Sequence, residues 1–180
     1  MTGALDYGVW WLTNRTPPVV SLAGPPDVVR GQVAVGVQLA PLGRAAVVDA
    51  QVDGNRLQPG EPLVVDTASL PDCDHELVVT AEDTSWWRNR GSGRLSIRSD
   101  NTPPQLTLES RPERVAQGST WLLRVRSNEP AAIEAWLGGR PLAIQADDGF
   151  GWAVVGFGPD APPTALPAVV DGTDAVGNRA

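Results

Sequence analysis

The sequence has no lysine, a single histidine and a single cysteine among its 180 residues. One cysteine cannot form an internal disulfide, which excludes a disulfide-stapled secreted scaffold. Fourteen arginines against 21 acidic residues give a net charge of −7, so no basic face is left for a phosphate backbone and nucleic acid is excluded as a partner. No apolar run approaches the roughly 20 residues that cross a bilayer, so we expect no membrane span within the chain.

The single histidine limits the catalysis that the chain can support. A catalytic zinc normally takes three protein ligands, which His75 alone cannot supply. A Ser-His-Asp triad or a Cys-His pair would also have to use His75. Cys73 lies two residues away, but at the start of a strand the two side chains need not converge. We therefore predict a structural role for His75, no catalytic residue, no zinc ligand set and no cofactor.

Glycine and proline are abundant, with 19 and 17 residues respectively. This composition disfavours long helices and is typical of short strands joined by turns. Apolar residues recur at every second position, which predicts half-buried strands. The predicted inward sets are Val33, Val35, Val37 and Leu39; Ala46, Val48, Ala50 and Val52; Leu77, Val79 and Ala81; Trp121, Leu123 and Val125; Ile133, Ala135 and Leu137; and Trp152 and Val154. The spacing predicts an all-β chain of antiparallel sandwiches.

Two landmarks repeat at the same spacing. The segment 16–22 (TPPVVSL) returns as 102–108 (TPPQLTL), and 45–50 (AAVVDA) returns near 131–135 (AAIEA), both 86 positions later. The chain is therefore interpreted as a lead segment, 1–15, followed by two immunoglobulin-like sandwiches, 16–101 and 102–180. In the second repeat few residues follow Asn178, so this sandwich is expected to lack its last strand, as if cut short. The lead, with its Trp10-Trp11 pair, fits either the end of a membrane anchor or an extra edge strand.

The first repeat contains several landmarks in a fixed order: Pro17-Pro18, the valine-rich strand after Gly31, Val52-Asp-Gly54, Asp66 to Asp72, His75 to Asp83 and Asp100-Asn-Thr-Pro-Pro104. In these landmarks, residues 16 to about 104 resemble the bacterial immunoglobulin-like repeats of surface and secreted proteins. The resemblance implies a bacterial, extracytoplasmic protein of the cell envelope or medium. Cys73 departs from the pattern, because such repeats commonly place a turn glycine there.

The second repeat, residues 104–180, has its own landmarks: Gln117-Gly118, Glu129-Pro130, Leu137 to Leu142, Gly151 to Gly156 and Thr173 to Asn178. In these landmarks it is similar to the β-rich segment before the catalytic domain of lysostaphin-type zinc endopeptidases, which cut peptidoglycan. The similarity implies a non-catalytic spacer that engages peptidoglycan or another wall polymer, with a downstream catalytic domain as partner. The alternative is a free-standing adhesion or carbohydrate-binding module. The family's His-x-x-x-Asp and His-x-His zinc motifs do not occur in this chain.

Seven tryptophans, against one tyrosine and two phenylalanines, are the most unusual part of the composition. Trp121 and Trp152 lie on predicted strands and are expected in the core. Trp136 falls on the face opposite Ile133, Ala135 and Leu137, so it is a candidate for ligand contact. Trp86-Trp87 lie in a turn, where packing against the next unit and ligand contact are equally compatible with the sequence.

Carboxylates and amides supply the remaining candidates. Most of the aspartates lie in turn contexts, where their side chains hydrogen-bond the backbone. Asp83 with Asn89, and Asp174 with Asn178, recur at the same place in each repeat and offer oxygen ligands for a calcium ion. No complete ligand string of the EF-hand kind accompanies them.

Overall fold

Antiparallel strands build both units of the chain. The computed structural model describes residues 3–25, 28–58, 60, 62–110, 112–147 and 149–180, with side chains from residue 8 onward. It divides the chain into two units, Met1–Asn101 and Thr102–Ala180. The first contains α1 (Gly3–Thr13), β1 (Val19–Ala23), β2 (Gln32–Ala40), β3 (Ala45–Val52), β4 (Asn55–Arg56), β5 (Leu63–Asp66), β6 (Asp74–Asp83) and β7 (Arg90–Arg98). The second contains β8 (Leu106–Leu108), β9 (Thr120–Ser127), β10 (Ala132–Leu137), β11 (Arg140–Pro141), β12 (Gln145–Asp147), β13 (Phe150–Gly156) and β14 (Ala168–Thr173).

The first unit is a sandwich of two antiparallel sheets with the strand orders β1-β2-β5 and β4-β3-β6-β7. This is the arrangement of an immunoglobulin-like domain. Period-two alternation turns one side of each strand inward, and Leu77, Val79 and Ala81 on β6 are fully buried. The buried cluster of this unit consists of Val20, Val35, Ala50, Val52, Leu63, Val65, Leu77, Val79, Ala81 and Ile97.

Two glycines on β7 allow β1 of the other sheet to lie close to it. A Cβ at Gly91 would overlap the carbonyl oxygen of Pro18, and a Cβ at Gly93 would lie 2.6 Å from the carbonyl oxygen of Val20. Real Cβ atoms do not approach backbone oxygens so closely, so only glycine permits this packing. The two residues thus close one side of the first sandwich.

One predicted inward set is partly wrong. The register of β3 against β6 shifts between Val47 and Asp49, which marks a β-bulge. A bulge inserts one residue and so reverses which face the preceding side chains occupy. Ala50 and Val52 are buried as expected, but Ala46 and Val48 are exposed, and Val47 packs against the core instead.

The second unit is also a sandwich, with the sheets β12-β13-β9-β8 and β11-β10-β14. Leu123 and Val125 on β9 face Ile133 and Ala135 on β10 across a small core, which Ala153 completes. Partly buried side chains surround this cluster: Leu106, Leu108, Trp121, Leu142, Ile144 and Val170. The predicted all-β fold of two tandem immunoglobulin-like sandwiches is confirmed.

The free side of β14 distinguishes the second sandwich from the first. In the first unit, β6 pairs with β7 from Glu82–Arg90 to Asp74–Arg98. On β14, the matching pairing is limited to a bridge between Thr173 and Arg179 and two backbone hydrogen bonds of 3.0 Å between Gly172 and Ala180. Among the described residues, the second sandwich therefore has only the start of the strand that β7 forms in the first.

The lead segment is a helix, α1, so the edge-strand alternative is wrong. The amide of Asn14 donates to the carbonyl oxygen of Trp10 at 2.8 Å and so continues the last turn of the helix. The carbonyl oxygen of Trp11 accepts a hydrogen bond from the amide of Trp86, which joins the end of α1 to the β6–β7 turn. No helix in the described part of the chain combines the length and the hydropathy that a bilayer span requires.

Candidate functional site

Large side chains in the second unit point outward from the sheet β12-β13-β9-β8. On β13, Trp152 is 44% exposed and Val154 is 63% exposed, and Phe150 is exposed as well. On β9, Leu122 is exposed directly opposite Val154, while Arg124 lies opposite Trp152. We call the outward residues Phe150, Trp152, Val154, Leu122, Arg124 and Arg126 the aromatic strip. Alternate residues of a strand lie about 7 Å apart, so the strip is about 14 Å long.

Two arginines line the aromatic strip and are held in place by one carboxylate. The guanidinium of Arg126 lies 4.7 Å from the ring centroid of Phe150, within reach of a cation–π interaction. Its Nε donates to Glu109 at 3.0 Å, and the Nε of Arg124 lies 3.6 Å from the other carboxylate oxygen. The pairing limits the motion of two long side chains and leaves other guanidinium donors of each arginine for a ligand.

The edge strand β12 adds polar groups beside the aromatic rings. Gln145 pairs in register with Trp152, and Asp147 pairs with Phe150. Among the side chains that the structure describes here, Arg124 and Arg126 are positive and Glu109 and Asp147 are negative. A surface that is neutral overall, with rings flanked by donors and acceptors, suits a neutral polyhydroxylated ligand better than a polyanion.

The expectation that Trp152 and Val154 face the core is wrong. The inward residues of β13 are Gly151, Ala153 and Val155, all buried. The packing at Gly151 fixes this register, because a Cβ there would lie 3.1 Å from the side chain of Ile133. Both faces of β13 are apolar, so alternation alone does not distinguish the inner face from the outer one.

The other two strand tryptophans are half-buried and lie outside the aromatic strip. Trp121 packs against the core, as predicted, and its indole N–H donates to the hydroxyl of Ser110 at 3.1 Å. Trp136 lies on β10, in the opposite sheet, in register with Pro141 and Val169. Ligand contact by Trp136 stays a prediction.

The turn tryptophans of the first unit pack against the end of α1. The rings of Trp11 and Trp86 form an edge-to-face pair with centroids 5.3 Å apart. The indole N–H of Trp87 donates to the carbonyl oxygen of Leu12 at 3.1 Å. Both turn indoles nevertheless keep about half of their surface exposed. Ligand contact by Trp86 and Trp87 stays a prediction.

His75 is buried and lies at the centre of a hydrogen-bond network in which Asp53, His75 and Ser99 have the order of a catalytic triad. Its Nδ1 lies 2.6 Å from Asp53 Oδ2, and its Nε2 lies 3.0 Å from Ser99 Oγ and 2.8 Å from the carbonyl oxygen of Pro71. The Ser99 hydroxyl donates to the same Pro71 oxygen at 2.7 Å. Cys73 Sγ lies 3.7 Å from Nε2, so the thiol and the imidazole do come together.

These partners prevent His75 from acting as a general base. The Asp53 carboxylate and the Pro71 carbonyl can only accept, so both hydrogen bonds are made by the doubly protonated ring, in which Nε2 has no lone pair with which to take a proton from Ser99 or Cys73. His75 and Ser99 are also buried, whereas a nucleophile must reach its substrate. The network is suited to fixing the turn at Pro71 rather than to catalysis.

The hydrogen bonds of His75 and Asp53 also shift the pKa values of these two side chains. The hydrogen bond to Asp53 raises the pKa of His75 above its ordinary value, against the effect of burial. The hydrogen bond from His75, together with the backbone N–H of Glu76, lowers the pKa of Asp53. His75 and Asp53 therefore form an ion pair over a wider pH range than free side chains would.

Asp83 is buried and surrounded by donors. Its Oδ1 accepts from the amide and hydroxyl of Ser85 and from the amide of Asn89, while its Oδ2 accepts from the side-chain amides of Asn89 and Asn14. Burial alone would raise the pKa of Asp83, but the hydrogen bonds from Ser85 and Asn89 lower it. The carboxylate thus organises the β6–β7 turn.

Asp174 repeats this arrangement in the second unit. Its Oδ1 accepts from the amides of Val176 and Asn178 at 2.9 and 2.8 Å, and its Oδ2 accepts from the side chain of Asn178 at 2.7 Å. Burial acts to raise the pKa of Asp174, and the hydrogen bonds from Asn178 outweigh it. These donors explain the repeated Asp and Asn positions without an ion, and the calcium site stays a prediction.

The sequence matches no protein-family model and no curated protein. The solved structures similar to it include fibronectin(III)-like modules of CbhA from Clostridium thermocellum, with a TM-score of 0.46, 7% identity and 88% of each chain covered. They also include SGBP-B from a mixed-linkage glucan utilization locus of Bacteroides ovatus, in complex with a heptasaccharide, with a TM-score of 0.35 and 16% identity over 93% of this chain and 46% of that one. A third is the titin immunoglobulin tandem A164-A165, with a TM-score of 0.31 and 18% identity over 89% and 91% of the two chains. At these TM-scores, the fold assignment rests on the strand orders described above.

Proposed function

We propose that the chain is a non-catalytic accessory module that binds a glycan polymer through the aromatic strip. The observation that carries the proposal is the exposure of Trp152 and Phe150 on one sheet face, beside Arg124 and Arg126. One face of a pyranose ring presents C–H groups, which pack on an aromatic ring, while its hydroxyls require donors and acceptors at the edges. The aromatic strip offers both.

In its finer form, the proposal is that the polymer is the peptidoglycan of a bacterial cell wall, outside the cytoplasm, and that the chain is the spacer and wall-engaging region of a metallopeptidase. The similarity of residues 104–180 to the segment before lysostaphin-type catalytic domains supports this form. The alternative is a free-standing adhesion or carbohydrate-binding module. Zinc-binding His-x-x-x-Asp and His-x-His motifs in the reading frame after Ala180 would favour the peptidase form, and a frame without them would favour the free-standing module.

The binding proposal is tested by sedimenting the full chain with purified bacterial sacculi and, separately, with chitin. Trp152→Ser should reduce the affinity about tenfold, the loss of one stacking contact. Since Trp152 is half exposed, the free energy of unfolding should change by no more than about 1 kcal/mol. Val64→Ser is the matched control, because Val64 is an exposed apolar strand residue of the first unit. It should bind as the unsubstituted chain does.

Equal binding by Trp152→Ser and the unsubstituted chain would contradict the proposal. So would a chain that sediments with neither polymer. Analytical ultracentrifugation completes the test: if Trp152→Ser abolishes self-association instead of sedimentation with sacculi, the aromatic strip is a contact between copies of the chain and the proposal is wrong.

A further inference from the structure

A second exposed apolar surface lies in the first unit, at the end of the sandwich where the β2–β3 and β6–β7 turns meet. Leu42 in the β2–β3 turn is 92% exposed, and Trp86 in the β6–β7 turn is 63% exposed. Val9 and Leu12 on α1 and Trp87 are exposed as well. We call the set of Val9, Leu12, Leu42, Trp86 and Trp87 the turn-end patch.

Hydrogen bonds and ring contacts bring the three segments of the patch together. The amide of Thr84 donates to the carbonyl oxygen of Arg44 at 2.9 Å, which joins the two turns. The guanidinium of Arg44 lies 4.8 Å from the ring centroid of Trp10, so the β2–β3 turn also contacts α1. On the other side of the patch, Arg15 lies 4.0 Å from the ring centroid of Trp87. The indoles and arginines therefore form one surface rather than scattered exposed residues.

The charge of this end is opposite to that of the whole chain. The segments that form it carry four arginines, and both Arg88 and Arg90 pair with the same carboxylate, Glu82, at 2.9 and 3.0 Å. The other described carboxylate here, Asp83, is buried and hydrogen-bonded. With Asp6 in the sequence of α1 counted as well, four arginines and three acidic residues give these segments a balance of about +1, within a chain whose net charge is −7. Such a local reversal favours an anionic partner at this end alone.

We propose that the turn-end patch binds the interface of an anionic phospholipid bilayer. An indole combines a large apolar body with one N–H donor, which is why tryptophan is enriched where hydrocarbon meets headgroups. Leu42 and Leu12 supply aliphatic groups that enter the acyl boundary, and the exposed Arg15, next to the Trp87 ring, supplies a positive charge for headgroup phosphates. This surface concerns the first unit, so it is independent of the glycan binding proposed for the second.

The test is sedimentation of the full chain with sucrose-loaded vesicles of phosphatidylcholine, either alone or mixed with phosphatidylglycerol. We expect binding to the mixed vesicles that weakens as salt is added, because salt screens the arginines. Leu42→Glu should reduce the bound fraction about tenfold, since a carboxylate then replaces a residue that enters the interface. The fold should tolerate this change at a position that is almost fully exposed.

Val64→Glu is the matched control. It adds the same charge to the same unit, on β5, and should bind vesicles much as the unsubstituted chain does. Trp152→Ser should also leave vesicle binding unchanged, so that failure of the glycan proposal and failure of this one are seen in different assays. The inference is overturned if the unsubstituted chain does not sediment with the mixed vesicles, if Leu42→Glu and Val64→Glu bind equally, or if Leu42→Glu loses binding to sacculi while keeping binding to vesicles.

Discussion

The two units are built on one repeat but place their apolar side chains differently. In the first, ten buried apolar residues form the described core, and β7 pairs with one side of β6. In the second, β14 corresponds to β6, and the same side of β14 is largely unpaired among the described residues. In the second, the described core cluster has five members, while Leu122, Trp152 and Val154 point outward. Two sandwiches of related strand order therefore differ in the size of their described core clusters and in the residues on the outer face of one sheet.

This difference follows from which residues fill the inner face. Gly151, Ala153 and Val155 of β13 occupy little volume between the sheets of the second unit, whereas the larger Leu63 and Val65 occupy the corresponding strand, β5, of the first. Since burial of apolar surface is the main stabilising term, the smaller core should make the second unit the less stable. Large side chains on the outer face of β13 add little stability and are available for contacts with a ligand.

The largest expected effect comes from removing one buried leucine in each unit. Leu77→Ala and Leu123→Ala should each cost about 2–5 kcal/mol, because both side chains are fully buried. We expect the second unit to unfold with Leu123→Ala and the first to remain folded with Leu77→Ala. Hydrogen exchange read by mass spectrometry, which reports β3 and β6 separately from β9 and β13, measures both. If the second unit stays folded with Leu123→Ala while the first unfolds with Leu77→Ala, the first unit is the less stable one, contrary to our expectation.

A change of pH should have a smaller effect on stability. We expect this effect in the first unit, which holds the only histidine of the chain. The pKa of His75 is raised above 6.5 in the folded state, so its stabilising contribution is complete below that pH and is lost as pH rises through the folded value. The pKa of Asp53 is lowered below 3.8, so its contribution is complete above that pH and is lost as pH falls through the folded value.

Asp53→Asn isolates this pair. Asparagine keeps the shape of the side chain and tolerates the positive φ of 49° at this position. The difference in free energy of unfolding between the unsubstituted chain and Asp53→Asn should be greatest between about pH 3.8 and 6.5 and shrink on either side. Urea denaturation across this range measures it. A difference that does not vary with pH would show that the pair is not ionised as described.

Strand alternation predicted much of the fold from the sequence. Val33 and Val35 on β2 and the three inward residues of β6 lie where the period-two pattern puts them. On two strands the period-two pattern gave the wrong face, because the direction of the side chain depends on a structural feature that alternation does not show. At Val48, that feature is a bulge, which adds a residue without a sequence signal of its own. At Trp152, it is the close approach of Ile133 to Gly151, a contact between different sheets.

The candidate sites were harder to predict, because they join residues that are distant in sequence. The turn at Trp86 and Trp87 could be located, but its packing against Trp11 depends on where the lead segment docks. His75 has two side-chain partners, Asp53 and Ser99, which lie 22 and 24 positions away in the sequence. Strand pairing brings them next to His75. Arg124 and Phe150 were not predicted as site residues. They lie on neighbouring strands, and the sequence alone does not give the register that brings them onto one surface. The one sequence signal for this surface was the run 150–155, which has no polar side chain on either face of the strand.

The proposal that the second unit recognises a glycan through the aromatic strip is tested most directly by NMR. The isotope-labelled full chain would be titrated with soluble glycan fragments of peptidoglycan and with chitooligosaccharides. We predict that the indole N–H signal of Trp152 and the amide signals of β9, β12 and β13 shift together in one saturable process, while those of β3 and β6 do not move. Shifts confined to the first unit, or no shift at concentrations well above those at which the chain binds sacculi, would contradict the account.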